Sequence, residues 1–141
     1  MAQHPYITAK DVRMFIMDRN VDDNDLLMDL AYDDAEVSDA MVRAAREYNS
    51  LPPFCSYADP DRLDATTNMF LDAIAAQLYL STLNKLMRND IDYNAGGVTT
   101  NIVAKRIGHL KELIKVHQDR FQQTASAQKK AINISQGFFH Y

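Results

Sequence analysis

The sequence predicts a mainly α protein: a small helical domain with a long central helix in an antiparallel helical hairpin, plus short extended segments including the C-terminal tail. The 141-residue chain has only four Gly and four Pro, too few for a turn-rich all-β fold. Residues 59–89 contain no glycine and place apolar side chains at steps of three and four, a helical period. The same period returns at 103–121 after a short loop.

The first helix is predicted at about 9–18, after a short N-terminal arm. Thr8 is a suitable N-cap, and Asp11 stands three residues later as a capping-box partner. Ile7 and Val12 occupy the positions of a hydrophobic staple. Both signals place the start of the helix immediately after Thr8.

The acidic stretch 18–29 has a partial resemblance to a calcium-binding loop. Its first three ligand positions are matched, but Asp23 stands where the turn needs glycine, and Asp29 replaces the bidentate glutamate. A solvated loop with capping aspartates is therefore the favoured interpretation. Residues 26–32 alternate in a way that fits either a short strand or a bent helical turn.

The second helix is predicted to begin at the Asp33-Asp34 pair and to end at Asn49-Ser50, because Pro52 disfavours a helical residue before it. The long third helix is predicted from an N-cap at Asp59 to Asn89. Its apolar seam consists of Met69, Ala73, Ala76, Leu80, Leu83 and Met87, beside a second stripe of Leu63, Phe70, Ile74 and Leu78.

The fourth helix is predicted to begin at Thr99 or Thr100, after a reversal at Gly96-Gly97. Two seams of equal period joined by a ten-residue loop indicate that helices three and four form the antiparallel hairpin. The fourth seam consists of Val103, Ile107, Leu110, Ile114, His117 and Phe121.

The last fifteen residues, 127–141, are predicted to form an apolar tail separate from the helical domain 1–126. The tail begins in a polar stretch and becomes β-prone and aromatic from Ile132. Such a terminus needs a surface on which to bury its apolar residues. It either docks on its own domain or reaches a neighbouring subunit. The candidate partner-contacting residues in it are Ile132, Ile134, Phe138, Phe139 and Tyr141.

The charge is unevenly distributed, although the net charge is only −4. Residues 1–98 carry 8 Lys+Arg and 17 Asp+Glu, whereas 99–141 carry 7 and 2. This asymmetry fits either two solvated faces or head-to-tail association of subunits. No signal peptide or apolar run of membrane-spanning length is evident, and the single Cys55 fits a reducing compartment.

No catalytic constellation, metal site or cofactor-binding motif emerges, so an enzyme is not expected. His117 lies in the fourth seam, where a structural role is the favoured interpretation over catalysis. His109 precedes it by eight residues and so lacks the i, i+4 spacing of a helical metal site. An enzyme or metal protein built on 18–29 or on these histidines is less favoured than a structural assembly or a binding module, and nucleic-acid recognition is less favoured still.

The order of features resembles the small helical head-to-tail connector (neck adaptor) proteins of tailed bacteriophages. The resemblance covers most of the chain and is one of layout. It rests on the N-terminal helix with Val12, Arg13, Phe15, Ile16 and Asp18; the helix end with Ala44, Ala45, Tyr48, Asn49, Pro52 and Pro53; the long helix; the loop from Asp92 to Gly97; the fourth helix; and the apolar tail. Tyr93, Gly96 and Gly97 join the candidate interface residues through that loop.

The resemblance implies a non-enzymatic virion protein, made in the host cytoplasm and located in the neck. It would form a homo-oligomeric ring, typically of twelve copies, and contact the portal protein and a tail or neck protein. DNA would pass through its lumen without sequence recognition, and no membrane or cofactor is implied. The alternative is a helical protein-interaction module that binds one partner through its C-terminal tail.

Overall fold

The computed structural model describes residues 6–17, 32–93 and 100–135. Within these ranges the chain forms four helices: α1 (Ala9–Phe15), α2 (Asp34–Ser50), α3 (Met69–Tyr93) and α4 (Thr100–Ser135). Over the same residues there is no strand, and one isolated antiparallel bridge joins Tyr6 to Asp64. The prediction of a mainly α protein is therefore confirmed.

Helix α1 begins where its capping signals predict. The Thr8 hydroxyl accepts a hydrogen bond from the Asp11 amide, and the Asp11 carboxylate accepts one from the Thr8 amide at 2.9 Å. Ile7 and Val12 are both buried, as expected of a staple. The helix ends at Phe15, earlier than predicted, because Met17 has a φ of 62° that a right-handed helix does not allow.

Helix α2 has both of its predicted ends. The Asp33 side chain caps it by accepting from the Glu36 amide at 2.7 Å. Leu51 then adopts an extended conformation before Pro52, as the steric effect of proline requires. The helix buries one face, which consists of Val37, Ala40, Ala44, Ala45 and Tyr48.

Helix α3 begins at Met69, and the prediction that it starts after Asp59 is wrong. In this acidic stretch the side chains bind nearby amides in turns rather than capping a helix. Asp59 accepts from the Asp61 amide at 3.0 Å, and Asp64 accepts from both the amide and the hydroxyl of Thr66. Leu63 is buried, but as part of the connection, where its carbonyl accepts from the Ile7 amide.

Helix α4 extends well past the predicted seam and reaches Ser135. The prediction of an extended segment from Ile132 is therefore wrong as far as Ser135, and the domain boundary predicted at 126/127 falls inside the helix. The helical period continues through Phe121, Ala125 and Lys129, all of which are buried. The sequence pattern did not predict this continuation, because Lys129 stands where the helical period calls for an apolar residue.

Helix α3 lies at the centre and packs against the three other helices, most extensively against α4. Among its seam residues, Met69, Ala73, Ala76 and Leu83 are buried, whereas Met87 is exposed. Aromatic contacts link the layers, since Phe70 packs on both Tyr48 of α2 and Phe121 of α4. No helix in the described part of the chain has both the length and the apolarity needed to cross a membrane.

The loop 18–29, the segment 26–31, Thr99 and the Gly96-Gly97 reversal lie outside the described residues. So do Phe138, Phe139 and Tyr141.

Candidate functional site

A histidine–carboxylate pair joins the two longest helices. His117 Nδ1 of α4 lies 2.7 Å from Asp72 Oδ1 of α3. Their side chains are only 13% and 10% exposed. Because an ionised carboxylate only accepts hydrogen bonds, the Nδ1–H of His117 is the donor. The imidazole ring also packs edge-on against Phe15, with ring centres 5.8 Å apart, and at a tilt against Tyr79, with ring centres 5.7 Å apart.

A carboxylate bound to Nδ1 fixes the orientation of a histidine, as happens in catalytic triads and in zinc sites. Such sites also need a nucleophile or further ligands. Within 6–17, 32–93 and 100–135, no group of three or more His, Cys, Asp or Glu side chains is placed to hold a metal ion. His109 is exposed on α4. The pair therefore acts chemically as a polar link between α3 and α4, with Phe15 adding α1 to the same contact.

A second polar link lies near the other end of α4. Lys129 is only 4% exposed, and its Nζ donates to the carbonyl oxygens of Leu51 and, at 3.0 Å, of Pro53. The same ammonium group stands 4.7 Å from the centre of the Tyr48 ring, within cation–π range. The Tyr48 hydroxyl donates to Gln128 Oε1 at 2.8 Å. Lys129 thus attaches the end of α2 to α4.

Lys129 also holds one end of a surface segment that we term the aromatic loop, residues 51–61. Asn49 holds the middle of this loop, because its side-chain amide donates to the Ala58 carbonyl at 3.1 Å and accepts from the Ala58 amide at 2.9 Å. Its backbone carbonyl accepts from the Cys55 amide. The loop presents Phe54 and Tyr57 to solvent, with side chains 79% and 71% exposed.

A cleft of about 240 Å³ opens beside the aromatic loop. Aromatic rings of Tyr48, Tyr57 and Phe70 line it, together with Arg62. Ile132 of α4 also lines it and is half-buried. A candidate interface residue of the tail therefore packs on its own domain.

Of the other candidate interface residues, Ile134 lies in the last turn of α4, and Tyr93 is the last residue of α3. Gly96, Gly97, Phe138, Phe139 and Tyr141 lie outside the described residues. Ile132 is the one candidate interface residue that the described part of the chain places in the cleft.

The solvent-facing side of α4 is basic. Glu112 and Asp119 are its exposed acidic residues among those described. The exposed basic residues of α4 are more numerous than these two acidic ones; they are Lys105, Arg106, Lys111, Lys115, Arg120 and Lys130. By contrast, Asp33, Asp34 and Asp39 are exposed near the start of α2. The charge asymmetry of the sequence therefore appears as a basic helix face and a separate acidic helix end.

Burial raises the pKa of three groups in the helix interfaces. It raises the pKa of Glu47, and a hydrogen bond from Gln77 at 3.2 Å partly offsets this pKa rise. Burial also raises the pKa of Tyr48 and of Tyr79. These groups lie where α2 and α4 pack on α3, and the two tyrosines remain neutral at neutral pH.

Sequence reasoning found His117 but missed Asp72 and Lys129. The available signal was a charged side chain in apolar surroundings: Asp72 stands among Phe70, Ala73 and Ala75, and Lys129 follows Phe121 and Ala125 at steps of four. Comparisons of the chain with known protein families, with curated proteins and with solved structures found no match.

Proposed function

We propose that this chain is a structural virion protein of a tailed bacteriophage, a head-to-tail connector that forms an oligomeric ring between portal and tail. The observation that supports the proposal most is the length and one-sided packing of α4. Its 36 residues span about 54 Å. This length exceeds the diameter of a compact domain of this size, which has a radius of gyration of about 14 Å. Such a helix offers surface to neighbouring copies.

We also propose that α3 and α4 pair as an antiparallel hairpin. Phe70 packs on Phe121, and Tyr79, further along α3, packs on His117, which comes earlier in α4. An opposite order of contacts along the two helices supports an antiparallel arrangement. A rigid hairpin of this kind is a suitable frame for a ring subunit because it holds its outer face in one orientation.

In the ring, DNA passes through the lumen without sequence recognition. An acidic lumen favours passage because it does not displace the counterions of the phosphate backbone. The basic face of α4 therefore lies away from the lumen in this proposal. A ring whose lumen is lined by Lys105, Arg106, Lys111 and Lys115 would contradict it.

The experiment is negative-stain electron microscopy of the full chain, alone and mixed with the portal protein from the same genome. Rings with a central channel, seated coaxially on the portal, are expected. The matched control is the portal protein without this chain, which shows the added ring density directly. A chain that stays monomeric by native mass spectrometry and adds no density to the portal contradicts the proposal.

The cleft beside Ile132 favours a second candidate, a helical interaction module that binds one partner protein through its C-terminal tail. In that case the tail and cleft form one docking surface, and no ring is needed. Native mass spectrometry distinguishes the two functions. A one-to-one complex with a partner, without cyclic assembly, would favour the module.

A further inference from the structure

A second apolar stripe runs along α4 on the side turned away from its buried face. Leu113 and Val116 are 42% and 45% exposed in it, although both are aliphatic residues that gain free energy on burial. Exposed basic side chains precede and follow them. The whole set repeats at steps of three and four, which is the spacing of contact residues in a packed helix. We term this set the basic stripe: Arg106, His109, Leu113, Val116 and Arg120.

The aromatic loop has the opposite character. Phe54 and Tyr57 are the two most exposed large hydrophobic side chains among the described residues, and Asp59 and Asp61 beside them are also exposed. The hydrogen bonds from Asn49 and Lys129 fix the loop backbone in advance. A preordered loop loses little conformational entropy on binding, and exposed aromatic side chains are frequent hot spots of protein interfaces.

The aromatic loop does not cover the basic stripe of its own chain. Lys129 attaches the loop to the C-terminal part of α4, and Val116 lies thirteen residues earlier, about 20 Å along the helix. Consistently, both surfaces remain exposed in the single chain. Both surfaces are therefore open to a second molecule, and they match each other in apolar character and in charge.

We infer that the basic stripe of one copy binds the aromatic loop of a second copy of this chain. Leu113 and Val116 pack on Phe54 and Tyr57, and Arg120 pairs with Asp61. The inference rests on the proposed ring, because it assigns the contact between neighbours. Since the two surfaces differ, the contact is heterologous, and repetition of a heterologous contact closes into a ring or extends as a filament.

Disulfide trapping between two differently labelled chains tests the contact. Both chains carry Cys55→Ser, which preserves a hydrogen-bonding group near Asn49. One chain carries Phe54→Cys and the other Val116→Cys. The mixed sample is expected to form a disulfide-linked heterodimer under mild oxidation, and a single chain with both cysteines is expected to form a ladder of multimers.

Lys111→Cys, combined with Phe54→Cys, is the matched control, because Lys111 is exposed on α4 but lies on the other side of the helix from the stripe. Trapping of the Val116 pair at no more than the rate of the Lys111 pair would overturn the inference. The expected result is at least a tenfold difference in rate, as for a site held in contact compared with random encounter.

Charge exchange provides a second measurement on the full chain. Arg120→Glu and Asp61→Lys, each alone, are expected to weaken self-association about tenfold because like charges then face each other. The variant with both changes is expected to restore it to within a factor of about two, since the pair is reversed rather than lost. Sedimentation velocity gives these affinities. Failure of the double variant to recover would overturn the pairing.

The outcomes separate this inference from the proposed function. Rings on the portal without a Phe54–Val116 crosslink would overturn the assigned contact and leave the connector function standing. Crosslinked multimers that never close into a ring or bind the portal would retain the contact and contradict the connector function.

Discussion

The imidazole of His117 and the carboxylate of Asp72 meet 2.7 Å apart in the interface of α4 and α3, almost excluded from solvent. Among the described residues, neither side chain forms a second ion pair. Phe15 and Tyr79 shield the pair, so water competes weakly for its hydrogen bond. Removing one member therefore leaves the other polar group buried without its partner.

Asp72→Ala is expected to destabilise the protein by about 1–3 kcal/mol, the usual cost of leaving a buried polar group unsatisfied. Urea unfolding followed by circular dichroism measures this change. Asp39→Ala removes an exposed carboxylate of α2 and is the control, with an effect within about 0.5 kcal/mol. Equal effects of the two substitutions would show that the pair contributes nothing specific.

Lys129→Met is expected to lower the free energy of unfolding by about 1–3 kcal/mol, because the carbonyl oxygens of Leu51 and Pro53 lose their donor. Lys130→Met is an ideal comparison, since its side chain is exposed one position later. Hydrogen exchange should also become faster at the Cys55 and Ala58 amides in the Lys129 variant only. Unchanged exchange at both amides would mean that Lys129 does not order the loop.

Glu47→Gln is expected to increase stability relative to the native chain at pH 7 and to do so less at pH 4. Burial raises the pKa of Glu47 above its ordinary value of 4.5, so the folded state binds this proton more tightly than the unfolded chain. The resulting stabilisation is present below pH 4.5 and is lost as pH rises through the raised pKa. Glutamine keeps a hydrogen-bond acceptor for Gln77 without the charge.

Unfolding measured across this pH range tests the prediction, with Glu112→Gln on the exposed face of α4 as the control. The difference between Glu47→Gln and the native chain should grow with pH and should exceed any change that the control shows. A Glu47 difference that shrinks with rising pH would contradict the sign.

Phe121→Ala and Leu113→Ala should separate folding from association. Phe121 is fully buried against Phe70, so its truncation is expected to cost about 3–5 kcal/mol of stability. Leu113 is exposed, so its truncation should change monomer stability by less than about 0.5 kcal/mol but weaken self-association. Chemical unfolding at low protein concentration and sedimentation velocity at high concentration measure the two effects. A Leu113 variant that assembles normally would contradict the contact.

Local signals in the sequence predicted the fold class, the N-caps of the first two helices, the end of the second helix and most buried stripes. These features depend on residues within about four positions of each other, as at Thr8 and Asp11. The start of α3 was mispredicted because Asp59 satisfies an amide two residues away just as well as it would cap a helix. The same stretch also accepts a hydrogen bond at the Leu63 carbonyl from the distant Ile7 amide, a contact that local patterns do not contain.

The polar links could not be predicted for a related reason. Asp72 and His117 are separated by 45 residues, and their meeting depends on the register of α3 against α4. Lys129 looked like part of a solvated stretch because its partners are backbone carbonyl oxygens, which carry no side-chain signal. The polar links of the candidate site thus depend on tertiary packing, whereas the helices that carry them could be predicted from the spacing of apolar residues.

The Lys129 link also has a consequence for synthesis on the ribosome. Leu51 and Pro53 are translated 78 and 76 residues before the lysine that fixes them. A nascent chain that has emerged only as far as Gln128 lacks the ammonium group that orders its aromatic loop. If copies join through this loop as inferred, we expect joining only after nearly all of α4 has been made.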